Sequence, residues 1–418
     1  MTDHDVRALD DSQYRTAHSL FRGTLHHAPA PDDMWKFVQE SYEPGRAFGA
    51  FADDELVGTV QSFPSRLAVP GGAVVPHAAV SRVGVRADWT RRGVLSALQR
   101  VQLRDLRSAG DVVATLRASE TAIYGRYGYG VATRYRFLRL DRRRAVPRTR
   151  PTGRVRLVDG EAGERIARAL FEELSPRRAG TIARWPAWWA TTVRRVAVEE
   201  NIKIAVRSPS DSGAPSGSSA PSGSSAPSAD DGYVMFKVTP GDHSVDGKPT
   251  TLTVTDLWAR TAEAWVDLWL FVLGVDLVDE ITAHGRPLDE PVQWLLGDRR
   301  ACRVVDEEDE VWLRLLDVPA ALSARTYRTG EPVVLGVRDT YLPENSGSYR
   351  ITADGATRVD SAPELVLDVD VLASAYLGDV PFTTLAATRR LDAVDPTAPS
   401  RADQLFAVSE VPWCGTYF

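Results

Sequence analysis

Apolar residues recur along this chain with two periods, and the switches between them outline its elements. Short apolar or alternating runs at Phe48–Phe51, Leu56–Gln61, Ala79–Arg86 and Val112–Leu116 predict strands. Between the last two, Val94, Leu98 and Val101 recur at helical spacing, and Gly110 stops the helix. The first third therefore predicts a mixed α/β domain. The same strand–helix–strand rhythm returns at 251–282, with Leu252–Trp258, a helix from Ala262 to Val272, and Leu277–Thr282. The last hundred residues change character. Strand-like runs at Val311–Leu316, Val333–Val337 and Glu364–Val369 precede helical patterns at Val371–Leu377 and Phe382–Leu391, which predicts a separate α+β domain.

Two stretches break these patterns. Asp141–Gly153 is basic, contains proline and has neither period, as a solvated linker would. Ser208–Asp231 repeats a Ser-Gly-Ser-Ser-Ala-Pro unit with almost no apolar content, which predicts a disordered insertion. It separates the strand-like runs Ile202–Val206 and Tyr233–Val238, so it reads as an expanded hairpin loop. Loop closure cost grows only logarithmically with length, which makes such an insertion tolerable. The expected domains are 1–145, 146–300 and 301–418.

Composition narrows the class. A chain of 418 residues exceeds one small core, and 43% apolar with 25% charged residues fits a globular protein. A formal charge of -6 argues against general nucleic-acid binding and is compatible with a cationic substrate. No apolar run of about 18 residues occurs, so no membrane span is expected. Met1–Asp5 lacks an apolar signal core, and the expected location is cytoplasmic. Cys302 and Cys414 lack CxxC spacing, which predicts neither a disulfide framework nor a zinc site. His26 and His27 read as loop residues, and no metal is expected.

The chemistry concentrates between Ala78 and Thr133. After the strand ending in Val83-Gly84-Val85 comes Arg91-Arg92-Gly93, which opens the apolar helix Val94-Leu95-Ser96. Unpaired N–H groups and the macrodipole at a helix start favour an anion. Gly93 allows close approach of a phosphate, and the two arginines add charge. A second block, Ser119-Glu120-Thr121-Ala122-Ile123-Tyr124, follows the next strand. Tyr124, with an ordinary phenol pKa near ~10, is protonated at neutral pH and can protonate a departing thiolate. Tyr127 and Tyr129 read as core or turn aromatics. The partial copy at 251–282 has Arg260-Thr261-Ala262-Glu263 where the first has Arg91-Arg92-Gly93, so it lacks the glycine and would repel phosphate.

These blocks resemble the GCN5-related N-acetyltransferase superfamily, with Thr90 and Leu95 departing from its phosphate-loop signature. The phrases RRGVL, ASETAIYGRYGYGVAT, VWLRLLDVPAAL and SAYLG are similar to those of the enhanced intracellular survival protein family of actinobacteria. The resemblance implies tandem acetyltransferase folds, the second without its cofactor loop, followed by a sterol-carrier-protein-like α+β domain. It implies an acetyl-CoA-dependent amine acetyltransferase, often acting on several amines of an aminoglycoside, and a homohexamer. Acetyl-CoA would be held by Val83, Gly84, Val85, Arg91, Arg92, Gly93, Val94, Leu95, Ser96, Ser119 and Glu120. Tyr124 would be the proton donor, and the α-carboxylate of Phe418 the proton acceptor. The apolar, aromatic run Val411–Phe418 predicts a docked tail rather than a frayed one. Asp33 and Trp35 are expected at the pocket wall with Tyr417, which stands where relatives carry an acid. Two other readings remain open: acetylation of protein lysines or N-termini, and a non-catalytic scaffold binding a hydrophobic ligand.

Overall fold

The computed structural model describes residues 4–190, 201–210, 230–242 and 247–418. Most of the 208–231 insertion lies outside the described residues. In chain order the strands are β1 (Asp5–Ala8), β2 (Ala47–Ala52), β3 (Glu55–Ala68), β4 (Val74–Val85), β5 (Val113–Leu116), β6 (Gly130–Asp141), β7 (Gly153–Val158), β8 (Lys203–Pro209), β9 (Gly232–Thr239), β10 (Thr251–Ala259), β11 (Glu280–Arg286) and β12 (Cys302–Leu315). Then come β13 (Val333–Arg338), β14 (Gly347–Thr352), β15 (Gly355–Val359), β16 (Leu365–Asp368) and β17 (Leu391–Ala393). The helices that matter here are α1 (Tyr14–Thr24), α2 (Asp32–Gln39), α3 (Val94–Ser108), α4 (Thr121–Tyr124), α5 (Gly160–Leu174) and α6 (Ala262–Leu273).

Contacts group the chain into two compact units, residues 1–134 with 176–188 and 309–418, and residues 135–175 with 189–308. In the first unit the strand order is β1-β2-β3-β4-β5-β12. Alternation along β5 sends Ala114 and Leu116 towards α3, where they pack with Leu98, Leu103 and Leu106. Val113, on the other face, joins a core with Val75, Val311 and Leu313. That core continues into the C-terminal domain through Leu322, Leu335 and Tyr376. The domain's own sheet runs β15-β14-β13-β16-β17, with β13 and β16 parallel. Approach is close enough that a Cβ on Gly130 would lie 2.0 Å from the Asp370 carbonyl oxygen.

The second unit holds β11-β10-β9-β8-β7 beside β6, with β10 and β11 parallel around α6. The strand–helix–strand copy expected at 251–282 is therefore present, and β8 pairs with β9 as the hairpin reading requires. Its helix start is closed: the Thr261 hydroxyl accepts from the Ala264 amide, and Arg260 pairs with Glu173 at 2.6 Å. The basic run 141–153 is mostly exposed to solvent, yet it is tied down at several points. Ala145 is buried in this unit's core, Pro147 bridges to Leu296, and Arg144 pairs with Asp298 at 2.6 Å. Backbone pairing and an acid partner hold a run whose composition alone reads as loose.

The tail of the first unit is docked. Buried Glu310, on β12, accepts from the amides of Cys414 and Gly415 at 2.9 and 2.8 Å and from the Thr133 hydroxyl at 3.0 Å. Arg117 lies 3.6 Å away. Residues 178–188 add further ties: Arg178 to the Val411 carbonyl, Arg184 to that of Gly415 and Trp188 to that of Tyr417. Burial pushes the Glu310 pKa up, opposed by Arg117 and the two amides. Removing a buried, fully partnered carboxylate strands its donors. Glu310→Ala is expected to lower stability by about 3 kcal/mol in urea unfolding. A loss below about 1 kcal/mol would show that the tail is held without it.

Candidate active site

β3 and β4 pair regularly from Ala68↔Val74 to Gln61↔Ser81, then shift register before Thr59↔Gly84 and Gly58↔Val85. The shift leaves Arg82 and Val83 in a bulge, with Arg82 at φ +52°. On its other edge β4 pairs with β5 in parallel only from His77↔Val113 to Ala79↔Thr115. Beyond Ala79 the backbone of β4 has no β5 partner, and a slot opens between the strands. This slot belongs to a cavity of about 1180 Å³ walled by Val83, Gly84 and Val85 of β4, by α1 from Thr16 to Thr24, by the start of α3, and by Ser119 to Tyr127.

The start of α3 is built to leave donors open. Arg91 sits at φ +61° and Gly93 at φ +85°, a left-handed turn that only glycine adopts without cost. No side chain caps the helix, unlike Thr261 on α6. The amides of its first turn therefore face the cavity, where Arg91, Gly93, Val94, Leu95 and Ser96 all line the wall. An anion at this place gains from open N–H groups, the helix dipole and a nearby guanidinium. The residues thus fit a pyrophosphate. Arg92 is not in the wall; its guanidinium lies 4.9 Å from the ring centroid of Trp89, which is.

Tyr124 ends the short helix α4 on the opposite side of the slot. It is nearly buried and rests edge-to-face on Tyr129, with ring centroids 6.0 Å apart. Burial, with smaller additions from Tyr127 and Glu120, pushes its phenol up to about 12. Such a group stays protonated through the neutral range and suits proton donation. Tyr127 lines the same cavity and shares a 3.2 Å hydrogen bond with Ser96, whereas Tyr129 is fully buried, as a core aromatic is. The Cys414 thiol is buried and pushed up to about 12, chiefly by burial, which disfavours a thiolate nucleophile.

The remaining sequence-predicted residues lie elsewhere in the same unit. Asp33 is in the exposed first turn of α2, and Trp35 packs against His18 and Tyr42 at 5.7 and 6.1 Å. Tyr417 is largely exposed, under the Arg117 guanidinium at 4.8 Å. Phe418 meets Trp185 at 6.3 Å, and Trp185 stacks on Phe63 at 4.5 Å. Neither Asp33, Trp35, Tyr417 nor Phe418 lines the cavity described above. Sequence reasoning gave no role to Arg82, Glu310 or the α1 wall. The one available signal was an arginine, Arg82, in the middle of a largely apolar strand.

Comparison with known proteins bears on the same elements. Residues 5–132 and 180–315 each match an acetyltransferase (GNAT) domain, and residues 318–415 match a sterol carrier protein domain. The chain is 34% identical to an uncharacterized N-acetyltransferase of Streptomyces avermitilis, over 98% of each protein. It is 34% identical to N-acetyltransferase Eis of Mycobacterium tuberculosis, over 87% of this chain and 86% of that one. The crystal structure of Eis1 from Mycobacterium abscessus is 37% identical with a TM-score of 0.86, covering 99% of this chain and 100% of that one. An uncapped helix start beside a split β4–β5 pair, two acetyltransferase domains and a sterol carrier domain together place this chain in the Eis-like family of GCN5-related N-acetyltransferases.

Proposed function

We propose that the cavity beside β4 holds acetyl-CoA and that the chain transfers its acetyl group to a primary amine of a small molecule by direct attack. The observation that carries this reading is the convergence of an uncapped helix start, an unpaired strand edge and a protonated phenol on one cavity. The first-turn amides of α3 with Arg91 would take the pyrophosphate. The free backbone of Val83 and Val85 would hold the pantetheine arm, with Ser119 and Glu120 on the facing wall. Acetyl-CoA supplies a thioester, in which a C–N bond replaces the C–S bond. Tyr124 gives its proton to the departing sulfur, and its raised pKa keeps that proton available. The α-carboxylate of Phe418, as the family resemblance implies, accepts the proton of the amine; a weak base of this kind acts through position or an intervening water.

The acceptors to compare are aminoglycosides and lysine peptides, the two classes the sequence left open. In the C-terminal domain, Tyr349, Tyr376 and Phe382 lie fully buried in the core, which favours a structural role there over a ligand-carrying one. Expression inside the cell and a hexameric assembly are consistent with the family, and remain part of this proposal.

Tyr124→Phe is expected to lower kcat by about 100-fold or more, while acetyl-CoA affinity measured by calorimetry stays within about twofold. Unchanged turnover at saturating substrate would remove Tyr124 from the proton transfer. Because the phenol is pushed up to about 12, the wild-type kcat profile should show no loss from its ionisation below about pH 11. A basic limb near pH 9 that vanishes in Tyr124→Phe would contradict the buried-phenol assignment. Adding a short Gly-Ser extension after Phe418 should reduce kcat at least about tenfold without weakening acetyl-CoA binding. Full activity of the extended chain would exclude the carboxylate as base.

A further inference from the structure

Chain ends ordinarily fray, yet this one is held almost to its tip. Arg178 donates to the Val411 carbonyl at 2.6 Å, and the Thr181 hydroxyl to that of Trp413 at 3.2 Å. Glu310 then takes the amides of Cys414 and Gly415. Gly415 turns at φ +64° against the Trp413 ring, where a Cβ would lie 2.6 Å from ring carbon. Beyond the turn, Arg184 donates to the Gly415 carbonyl at 2.9 Å and to the Thr416 hydroxyl at 3.2 Å. The Trp188 indole donates to the Tyr417 carbonyl at 2.7 Å. That last bond is one peptide unit from the α-carboxylate of Phe418.

The two donors at the tip are packed as one unit. The Arg184 guanidinium lies 4.1 Å from the Trp188 ring centroid, and both residues are buried. Trp185, between them in sequence, meets the Phe418 ring and stacks on Phe63. Phe63 on β3 stands opposite Ala79 on β4, and Ala79↔Thr115 is the last pair that joins β4 to β5. The tip of the tail is therefore fixed two ring contacts from the rung at which the slot opens. Docking alone does not call for the bond at 417, because Arg178 and Glu310 already hold the preceding residues and the Tyr417 side chain is largely exposed. What that bond does restrict is the peptide that sets where the terminal carboxylate points.

We propose that Trp188, packed against Arg184, is a positioning residue for the proton acceptor: its N–H holds the Tyr417 carbonyl so that the Phe418 carboxylate is presented to the slot. This rests on the reading above, in which that carboxylate takes the proton of the amine. As the C–N bond forms, the proton leaves nitrogen for a carboxylate oxygen; Trp188 exchanges no proton and acts through position alone. A weak base depends on such placement, and a displacement of about 1 Å costs on the order of 100-fold in rate.

The test follows coenzyme A release from acetyl-CoA by the full chain, with an aminoglycoside and a lysine peptide as amines. Trp188→Phe keeps a ring beside Arg184 and removes the N–H. It should lower kcat by at least about tenfold, with acceptor KM and acetyl-CoA affinity within about twofold. Benzothienylalanine at position 188 has the shape of tryptophan without its N–H, and should reproduce the loss where a packing defect would not. Thr181→Val removes a bond nearer the root of the tail and should leave kcat within about twofold. In the chain extended after Phe418, Trp188→Phe should change kcat by less than about twofold, since no carboxylate is left there to position. Unchanged kcat in Trp188→Phe or with benzothienylalanine would overturn the proposal, as would an equal loss in Thr181→Val or the same loss in the extended chain. Failure of the base assignment is distinct, since the extended chain would then be fully active. Release with neither amine would overturn the acceptor reading beneath both.

Discussion

Parallel pairing between β4 and β5 lasts three residues and then stops, and the site depends on that early end. A strand inside a sheet has both rows of backbone groups engaged, so it has none to offer a ligand. Past Ala79, β4 keeps its partner β3 on one edge and is open on the other. The bulge at Arg82 and Val83 increases the twist at the same place. β5 meanwhile is fixed by β12 through four antiparallel residue pairs, from Val113↔Leu315 to Leu116↔Trp312, so it cannot follow β4 and close the gap. A slot with an unsatisfied strand edge is the result. The left-handed turn at Gly93 then brings an uncapped helix start to one end of it.

The strand that anchors β5 also anchors the tail. β12 carries Leu313 into the shared core, Arg314 into a buried pair with Asp339, and Glu310 into the amides of Cys414 and Gly415. Burying a carboxylate is costly unless its lone pairs are filled, and here three donors and Arg117 fill them. The C-terminal domain consequently packs into the same core as the sheet that forms the slot, rather than hanging from it. The partial copy in the second unit shows what is lost without these features. Its topology is the same, but Thr261 caps its helix and the glycine is missing.

What was legible in the sequence was local. A helix start is defined by a few adjacent residues, so Gly93, Arg91 and the first turn of α3 were identified from spacing alone, and all of them line the cavity. Tyr124 belongs to the same category, because a short helix after a strand fixes it. Arg92 shows the limit: the left-handed residues on either side turn it towards Trp89, a matter of φ angles rather than composition. Trp35 and Asp33 were placed by position along the chain, whereas packing sets Trp35 among His18 and Tyr42 and leaves Asp33 in solvent. Glu310 and Trp188 acquire meaning only from partners brought in by the fold. For Glu310 those partners are 104 and 105 residues away in the chain. The ties of the exposed basic run at 141–153 were not legible for a related reason, since its acid and backbone partners come from the 295–298 turn.

The central claim is that the open start of α3 and the split strand edge hold the acyl donor. Calorimetric titration of acetyl-CoA into the full chain, beside a Gly93→Val variant, tests it most directly. Valine cannot adopt the left-handed φ without strain, so the first-turn amides would be displaced while the core behind them is untouched. The account predicts one saturable site in wild type and affinity at least about tenfold weaker in the variant, with the variant still folding cooperatively after a strain cost of about 1–3 kcal/mol in urea unfolding. No binding to wild type, or equal affinity in both proteins, would contradict it.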